Sequence, residues 1–161
     1  MAALRKSQRA KKTTGRAKKT SSSAKRKPRH PPTPMTKPRE GDRVQDSDVE
    51  LRRGHGSHAK GEMPGGSFWH IFHQDVRAGS VFVNYDGDSK QASIQIFLNR
   101  KSQSRGIGRI AYRRACEACG HSEVYAFMRR NNLASLRAAT AAGFREVPPS
   151  TGQVTMVWKR V

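Results

Sequence analysis

Residues 103–108 read Gln-Ser-Arg-Gly-Ile-Gly and stand directly before a run with a helical pattern of apolar residues. A glycine-rich turn that enters a helix exposes backbone N–H groups without an intrahelical partner, and the helix dipole adds partial positive charge there. Such a turn suits a diphosphate, because no glycine Cβ blocks the approach. Arg100, Lys101, Arg105 and Arg109 lie nearby and suit further phosphate contacts. A plain strand-to-helix turn with solvated arginines is the alternative.

Two common phosphate-binding motifs do not account for this turn. The P-loop pattern G-x-x-x-x-G-K-S/T is absent from the chain. The dinucleotide fingerprint has its third glycine where this chain has Ala111, an exchange that the fingerprint tolerates. However, the turn follows a meander that looks antiparallel, and no second βαβ half with an acidic ribose ligand is found. The sequence therefore disfavours both nucleotide folds.

The elements around the turn are predicted from apolar periodicity. Three strands at about 68–74, 80–85 and 91–98 form an antiparallel meander, in which the segment DVRAG is the first turn. A helix then runs to about Cys119, and the strand SEVYAFMR, an alanine-rich helix closed by Gly143 and the strand GQVTMVWKRV follow. The order β-β-β-α-β-α-β predicts an α+β fold, of the three-layer α/β type, with helices packed on a mixed, mostly antiparallel sheet.

Two landmarks resemble those of the GNAT superfamily of acyl-CoA N-acyltransferases. The family signature Q/R-x-x-G-x-G/A, between a strand and a helix, matches residues 103–108. An Asn-led helix that ends in Gly-Phe matches Asn132 to Gly143-Phe144. The resemblance covers about residues 68–161, and the usual N-terminal strand and helices of the family are not recognisable. It implies an N-acetyltransferase in which an amine attacks acetyl-CoA directly within a ternary complex.

The resemblance also implies which residues bind the coenzyme. Backbone N–H groups from Ser104 to Arg109 would hold the pyrophosphate. The strand that ends at residues 96–98 would pair with the pantetheine arm, which lies in a V-shaped opening between this strand and residues 124–128. The implied coenzyme-binding set is Ile96, Phe97, Leu98, Gln103, Ser104, Arg105, Gly106, Ile107, Gly108, Arg109, Asn132 and Ser135.

The catalytic side chains are not identified by the sequence. By resemblance, a free backbone N–H near Phe97 or Leu98 is the expected oxyanion donor, with Leu98 as the candidate. Many family members place a tyrosine seven residues after the Asn to protonate the thiolate, and this chain has Ala139 there. Tyr85, Tyr112 or water are the candidate substitutes. The third predicted strand lacks the glutamate that some members carry, and Gln95 is a poor base.

Positive charge is concentrated at the N-terminus. Residues 1–39 hold fourteen Lys and Arg and no acid, out of a formal net charge of +20. The composition predicts a disordered basic tail at 1–39 and a disordered linker at 40–66. By resemblance, residues 67–161 form a GNAT-like acyl-CoA-binding domain. The tail supports a rival hypothesis, a protein that binds nucleic acid non-specifically and carries an inert GNAT-like domain. A merely solvated extension is the alternative for the tail.

The remaining expectations concern metals, compartment and partners. Cys116 and Cys119 are too few for a disulfide framework and indicate reduced thiols. Together with His121 they offer three ligands, whereas structural zinc sites usually have four, so no metal is expected. The chain has neither an apolar run of about 20 residues nor a secretory signal, which predicts a cytoplasmic protein without a membrane partner. The amine acceptor is not identified, and a homodimer stays open.

Overall fold

The computed structural model describes residues 44–148 and 152–161, and these form a seven-stranded sheet with two α-helices. The strand order is β1-β2-β3-β4-β5-β7-β6, in which β4 and β5 are parallel and all other neighbours are antiparallel. This confirms the predicted α+β fold. The predicted tail at 1–39 lies outside the described residues. The elements are β1 Val49–Arg53, β2 Ser67–His73, β3 Val76–Asp86, β4 Gln91–Leu98, α1 Ile107–Ala118, β5 Glu123–Arg129, α2 Leu133–Ala141, β6 Arg145–Glu146 and β7 Gln153–Lys159.

The predicted meander is present as β2, β3 and β4, with a tighter first turn. His73 pairs with Val76, so that only Gln74 and Asp75 form the loop. Both have positive φ, 49° and 61°, as a two-residue hairpin turn requires. The segment that follows Asp75 therefore belongs to β3 and not to the turn. The short strand β6, which pairs with β7, was not predicted.

Part of the predicted linker at 40–66 belongs to the sheet. β1 pairs with β2 over its whole length, and a one-turn 3-10 helix at Asp46–Asp48 precedes it. Val44 and Val49 are buried, with 6% and 0% of their surface exposed. The sequence signal is weak because Val49 and Leu51 make a single alternation among charged residues, and pairing with β2 decides the conformation. The chain therefore has a strand before the meander, contrary to the expectation.

Side-chain alternation along the strands separates a helical face from an outer face. On the helical face, Trp69, Val81 and Ile94 belong to one buried cluster together with residues of α1 and α2. The two helices meet where Gly108 faces Ala138, since a Cβ on Gly108 would lie 3.4 Å from the Cβ of Ala138. Both helices therefore cover the same face of the sheet.

The outer face carries a row of aromatic rings. Phe68, Phe82 and Phe97 stack across β2, β3 and β4, with ring centroids 6.2 and 6.0 Å apart. Residues 54–66 cover the Phe68 end, where the Asn84 side chain accepts a hydrogen bond from the Gly61 N–H at 2.7 Å. In the described residues this loop, and no helix, supplies the third layer.

Candidate coenzyme site

The central strands β4 and β5 form an opening in the sheet. They pair only at Ser93 and Tyr125, and beyond this point the ladder is interrupted. A cavity of about 410 Å³ lies at the interruption. It is lined by Ser93, Ile94, Gln95, Ile96, Phe97, Tyr112, Phe127, Met128, Arg129, Asn132 and Ser135. The structure thus has an opening where the sequence analysis expected one.

Alternate residues of β4 direct their backbone N–H and C=O groups toward this opening. Asn99 N–H donates to the Ala78 carbonyl at 2.8 Å, which fixes the phase of hydrogen bonding between β3 and β4. Because hydrogen-bonded and non-bonded pairs alternate in an antiparallel ladder, Ile96 and Leu98 turn their N–H and C=O groups away from β3. Gln103 Nε2 donates to the Leu98 carbonyl at 3.1 Å, in agreement with this phase. The N–H of Leu98 therefore points to the side of the opening.

The two signature glycines have different roles. Gly106 is the N-cap of α1 and has φ +85°, a left-handed conformation that favours glycine. Gly108 is buried, and a Cβ there would contact Ala138 at 3.4 Å and Leu98 at 3.7 Å. The N–H groups at the start of α1 have no partner within the helix. Gly106 thus shapes the turn, whereas Gly108 allows α1 and α2 to approach.

The segment before β1 holds the glycine-rich turn. Val44 N–H donates to the Arg105 carbonyl at 3.2 Å. The Asp46 carboxylate pairs with Arg109 at 3.3 Å and also with Arg113. Arg109, considered above as a phosphate ligand, is therefore already held by a carboxylate. The side chain of Arg105 is exposed and makes no ion pair within the described residues.

The second landmark fixes the start and the end of α2. Asn132 is its N-cap, and its side-chain oxygen accepts a hydrogen bond from the Ser135 N–H at 3.3 Å. Both residues line the cavity. At the other end Gly143 has φ +96°, and Phe144 is buried against Tyr112 with ring centroids 5.6 Å apart. The cap therefore places the first turn of α2 beside the opening.

The two candidate tyrosines lie in different places. Tyr112 lines the cavity from α1, and burial raises the pKa of its phenol well above the ordinary value, so the phenol keeps its proton. Tyr85 stacks on His121, with ring centroids 4.8 Å apart, and does not line the cavity. Ala139 is fully buried. None of the described residues that line the cavity is Asp, Glu or His.

The two cysteines are free thiols in and beside α1. Cys116 is buried, and Cys119 Sγ contacts the Cys116 carbonyl at 3.2 Å. Burial raises the pKa of both thiols. Within residues 44–148 and 152–161, no three His, Cys, Asp or Glu side chains are placed to hold a metal ion. No helix in the same ranges is long and apolar enough to cross a membrane.

Comparisons with known proteins agree with this geometry. A family profile described as an acetyltransferase (GNAT) domain matches residues 25–145. An acetyltransferase from Bacillus subtilis in complex with CoA aligns over 70% of this chain and 99% of that chain, with 12% identity and a TM-score of 0.56. The Campylobacter jejuni N-acetyltransferase PseH in complex with acetyl coenzyme A covers the same shares, with 10% identity and a TM-score of 0.53.

Other matches cover less of their partners. The microcin C7 self-immunity acetyltransferase MccE, in complex with acetyl-CoA and AMP, aligns over 60% of this chain and 62% of that chain, with 20% identity and a TM-score of 0.51. This chain also spans less than two thirds of the length of two further matched acetyltransferase structures. At these identities the likeness shows a shared fold. No curated protein sequence matches the chain.

Proposed function

The chain belongs to the GNAT acetyltransferase family, and on this premise we propose that it transfers an acetyl group from acetyl-CoA to an amine. The observation that carries the proposal is the opening between β4 and β5, which is lined by Asn132 and Ser135 at the N-terminus of α2 and by Tyr112 of α1. Residues 103–109 of the glycine-rich turn do not line this cavity. The matched structures that hold CoA or acetyl-CoA support the choice of coenzyme.

The site has groups that fit each part of acetyl-CoA. The unpaired N–H groups at the start of α1, shaped by Gly106, suit the pyrophosphate, and the exposed Arg105 adds a cation. The outward N–H and C=O groups of Ile96 and Leu98 suit the amides of the pantetheine arm, which would lie beside β4 as an added strand. Asn132 places the start of α2 at the other wall of the cavity.

The proposed reaction is a direct attack within a ternary complex. The lone pair of the amine forms a C–N bond to the thioester carbonyl, the Leu98 N–H stabilises the oxyanion, and the C–S bond breaks. The departing thiolate of CoA takes its proton from water, while the phenol of Tyr112, which keeps its own proton, donates a hydrogen bond to the sulfur. The new ammonium group releases its proton to water. Positioning of the two substrates supplies the main part of the acceleration.

Calorimetric titration with acetyl-CoA tests this proposal. The wild-type chain should bind the coenzyme, and Arg105→Glu should weaken binding about tenfold, the loss that corresponds to one charge-assisted hydrogen bond. Lys90→Glu changes the net charge equally in the β3–β4 turn and should bind as the wild type does. No binding at millimolar acetyl-CoA would refute the proposal. Equal losses in both variants would refute the assigned position of the phosphates.

A further inference from the structure

The cavity in the sheet is lined by residues of both faces, for example Met128 on the helical face and Phe127 on the outer face, and its outer side is here called the outer mouth. Both helices and the glycine-rich turn lie on the helical face, so the proposed function places the phosphates of the coenzyme on that side. The outer face is covered at Phe68 by the loop at 54–66, whereas Phe97 is 55% exposed. The acceptor amine therefore reaches the thioester through the outer mouth.

Two exposed phenylalanines flank this outer mouth. Phe97 on β4 and Phe127 on β5 line the cavity, and 55% and 50% of their surfaces are exposed. Each alternates along its strand with residues of the helical face, such as Ile96 and Met128. The ring of Phe97 is also backed by the buried Phe82. The mouth thus presents two aromatic surfaces, one of them held in place, to an entering molecule.

The charge at the outer mouth disfavours a polycation. Arg129, two residues after Phe127 and on the same face, is the only charged residue among the described residues that line the cavity. No carboxylate lines the cavity in the described part of the chain. A polyamine or an aminoglycoside would find no counter-charge there and would be repelled by the guanidinium. The electrostatics therefore favour an acceptor with a single, neutral amine.

The absence of a base in the described cavity lining limits the basicity of the acceptor. Only the neutral amine attacks a thioester, and Ser93, Gln95 and Asn132 do not take up a proton at neutral pH. At pH 7 a lysine amine, with a pKa of about 10.4, is only about 0.04% neutral. An α-amine, with a pKa of about 7.7–8.0, is roughly 10–20% neutral at the same pH. Low basicity thus increases the reactive fraction by several hundredfold.

We propose that the acceptor is a weakly basic amine attached to an aromatic group, bound between Phe97 and Phe127 at the outer mouth. The inference rests on the proposed function and specifies its second substrate. The neutral nitrogen forms the C–N bond, the electrons of the C–S bond leave with the thiolate of CoA, and the proton of the new ammonium group passes to water. The aromatic group is meanwhile removed from water between the two rings.

A panel of four amines tests the acceptor class through release of the CoA thiol. Phenylalaninamide has the aromatic group and a weakly basic α-amine, and alaninamide lacks only the ring. Nα-acetyl-lysinamide has a strongly basic amine, and kanamycin is a polycation. We expect kcat/KM for phenylalaninamide to exceed each of the others at least tenfold. A preference for kanamycin or for the lysine derivative overturns the inference, and so does equal use of alaninamide.

Variants locate the aromatic preference on the protein. Phe127→Ala should reduce the ratio of phenylalaninamide to alaninamide turnover at least fivefold, whereas Val76→Ala, at an apolar residue that is 70% exposed outside the cavity, should leave this ratio unchanged. Turnover should also follow the neutral fraction of each amine, with a midpoint that moves with the pKa of the amine. A single midpoint shared by all acceptors would reveal a base on the protein and would overturn the inference.

Coenzyme binding separates this inference from the proposed function. If calorimetry shows that the wild-type chain does not bind acetyl-CoA, the proposed function fails and the acceptor class fails with it. If acetyl-CoA binds but phenylalaninamide is not acetylated, the acceptor class is wrong while the coenzyme site stands.

Discussion

Replacing Gly106 by alanine tests whether the conformation of the glycine-rich turn holds the coenzyme. Gly106 has φ +85°, and the nearest atom to an added Cβ would be the Arg109 Nε at 3.8 Å. The substitution therefore creates no clash, and its effect comes from the backbone alone. An L-residue in the left-handed region costs about 1–2 kcal/mol. Because the turn is not fully buried, an alanine can leave this conformation locally and must return to it when the coenzyme binds.

Gly120 is a matched control at the other end of α1. It has φ +81°, and no atom lies within 4 Å of an added Cβ. Gly120→Ala should lower the free energy of unfolding by about 1 kcal/mol, which moves the urea midpoint down by about 0.5 M for a slope of about 2 kcal/mol/M. Its affinity for acetyl-CoA should not change. In Gly106→Ala, a local cost of about 1 kcal/mol should weaken acetyl-CoA binding about fivefold.

The two variants are compared by urea unfolding and by calorimetric titration with acetyl-CoA. Gly106→Asn is the third member of the series, because asparagine tolerates positive φ better than alanine, and it should recover part of the lost affinity. The reasoning is refuted if Gly120→Ala weakens coenzyme binding as much as Gly106→Ala does. It is also refuted if Gly106→Ala retains both the affinity and the stability of the wild type.

Three further predictions concern single side chains. Tyr112→Phe should lower kcat about tenfold without changing acetyl-CoA affinity, because it removes the proposed hydrogen bond to the departing sulfur. Steady-state kinetics and calorimetry measure the two quantities. Asp46→Ala should lower the free energy of unfolding in urea by about 1 kcal/mol, since it removes the ion pairs of Asp46 with Arg109 and Arg113. Glu117→Gln, which removes only the longer pair with Arg113, should stay within about 0.5 kcal/mol of the wild type. A hydrogen bond from Lys159 lowers the pKa of the Glu123 carboxyl group below its ordinary 4.5. The Glu123–Lys159 interaction therefore stabilises the fold fully above the pKa of Glu123 in the unfolded chain. This contribution is lost as the pH falls through the lower pKa of Glu123 in the folded chain. In Glu123→Gln, the free energy of unfolding should therefore decrease less steeply with falling pH than in the wild type, as measured by urea unfolding at a series of acidic pH values.

The sequence predicts an element most reliably where the periodicity of its apolar residues agrees with turn or capping motifs at its ends. β4 alternates at Ala92, Ile94 and Ile96, and the turn that follows carries the family signature, so both were predictable. β1 was not, because its conformation depends on pairing with β2, which a single sequence does not encode locally.

The candidate site shows the same division between local and distant signals. The glycine turn and the Asn132 cap follow from local motifs. The pairing of Arg109 with Asp46 joins residues far apart in the chain and needs the position of the segment before β1. Likewise, the exposure of Phe127 depends on how β5 sits beside an interrupted ladder, although its strand was predicted correctly.

A missing base is compatible with catalysis when the acceptor is weakly basic. A roughly 10–20% neutral α-amine loses only about five- to tenfold in rate to protonation, whereas a lysine amine loses more than about a thousandfold. Positioning of two substrates reaches effective molarities of about 10⁵–10⁸ M, which outweighs the first loss easily. The glutamate that β4 lacks therefore needs no replacement by another proton acceptor. The site can work by holding the two substrates in place, provided that the amine arrives neutral.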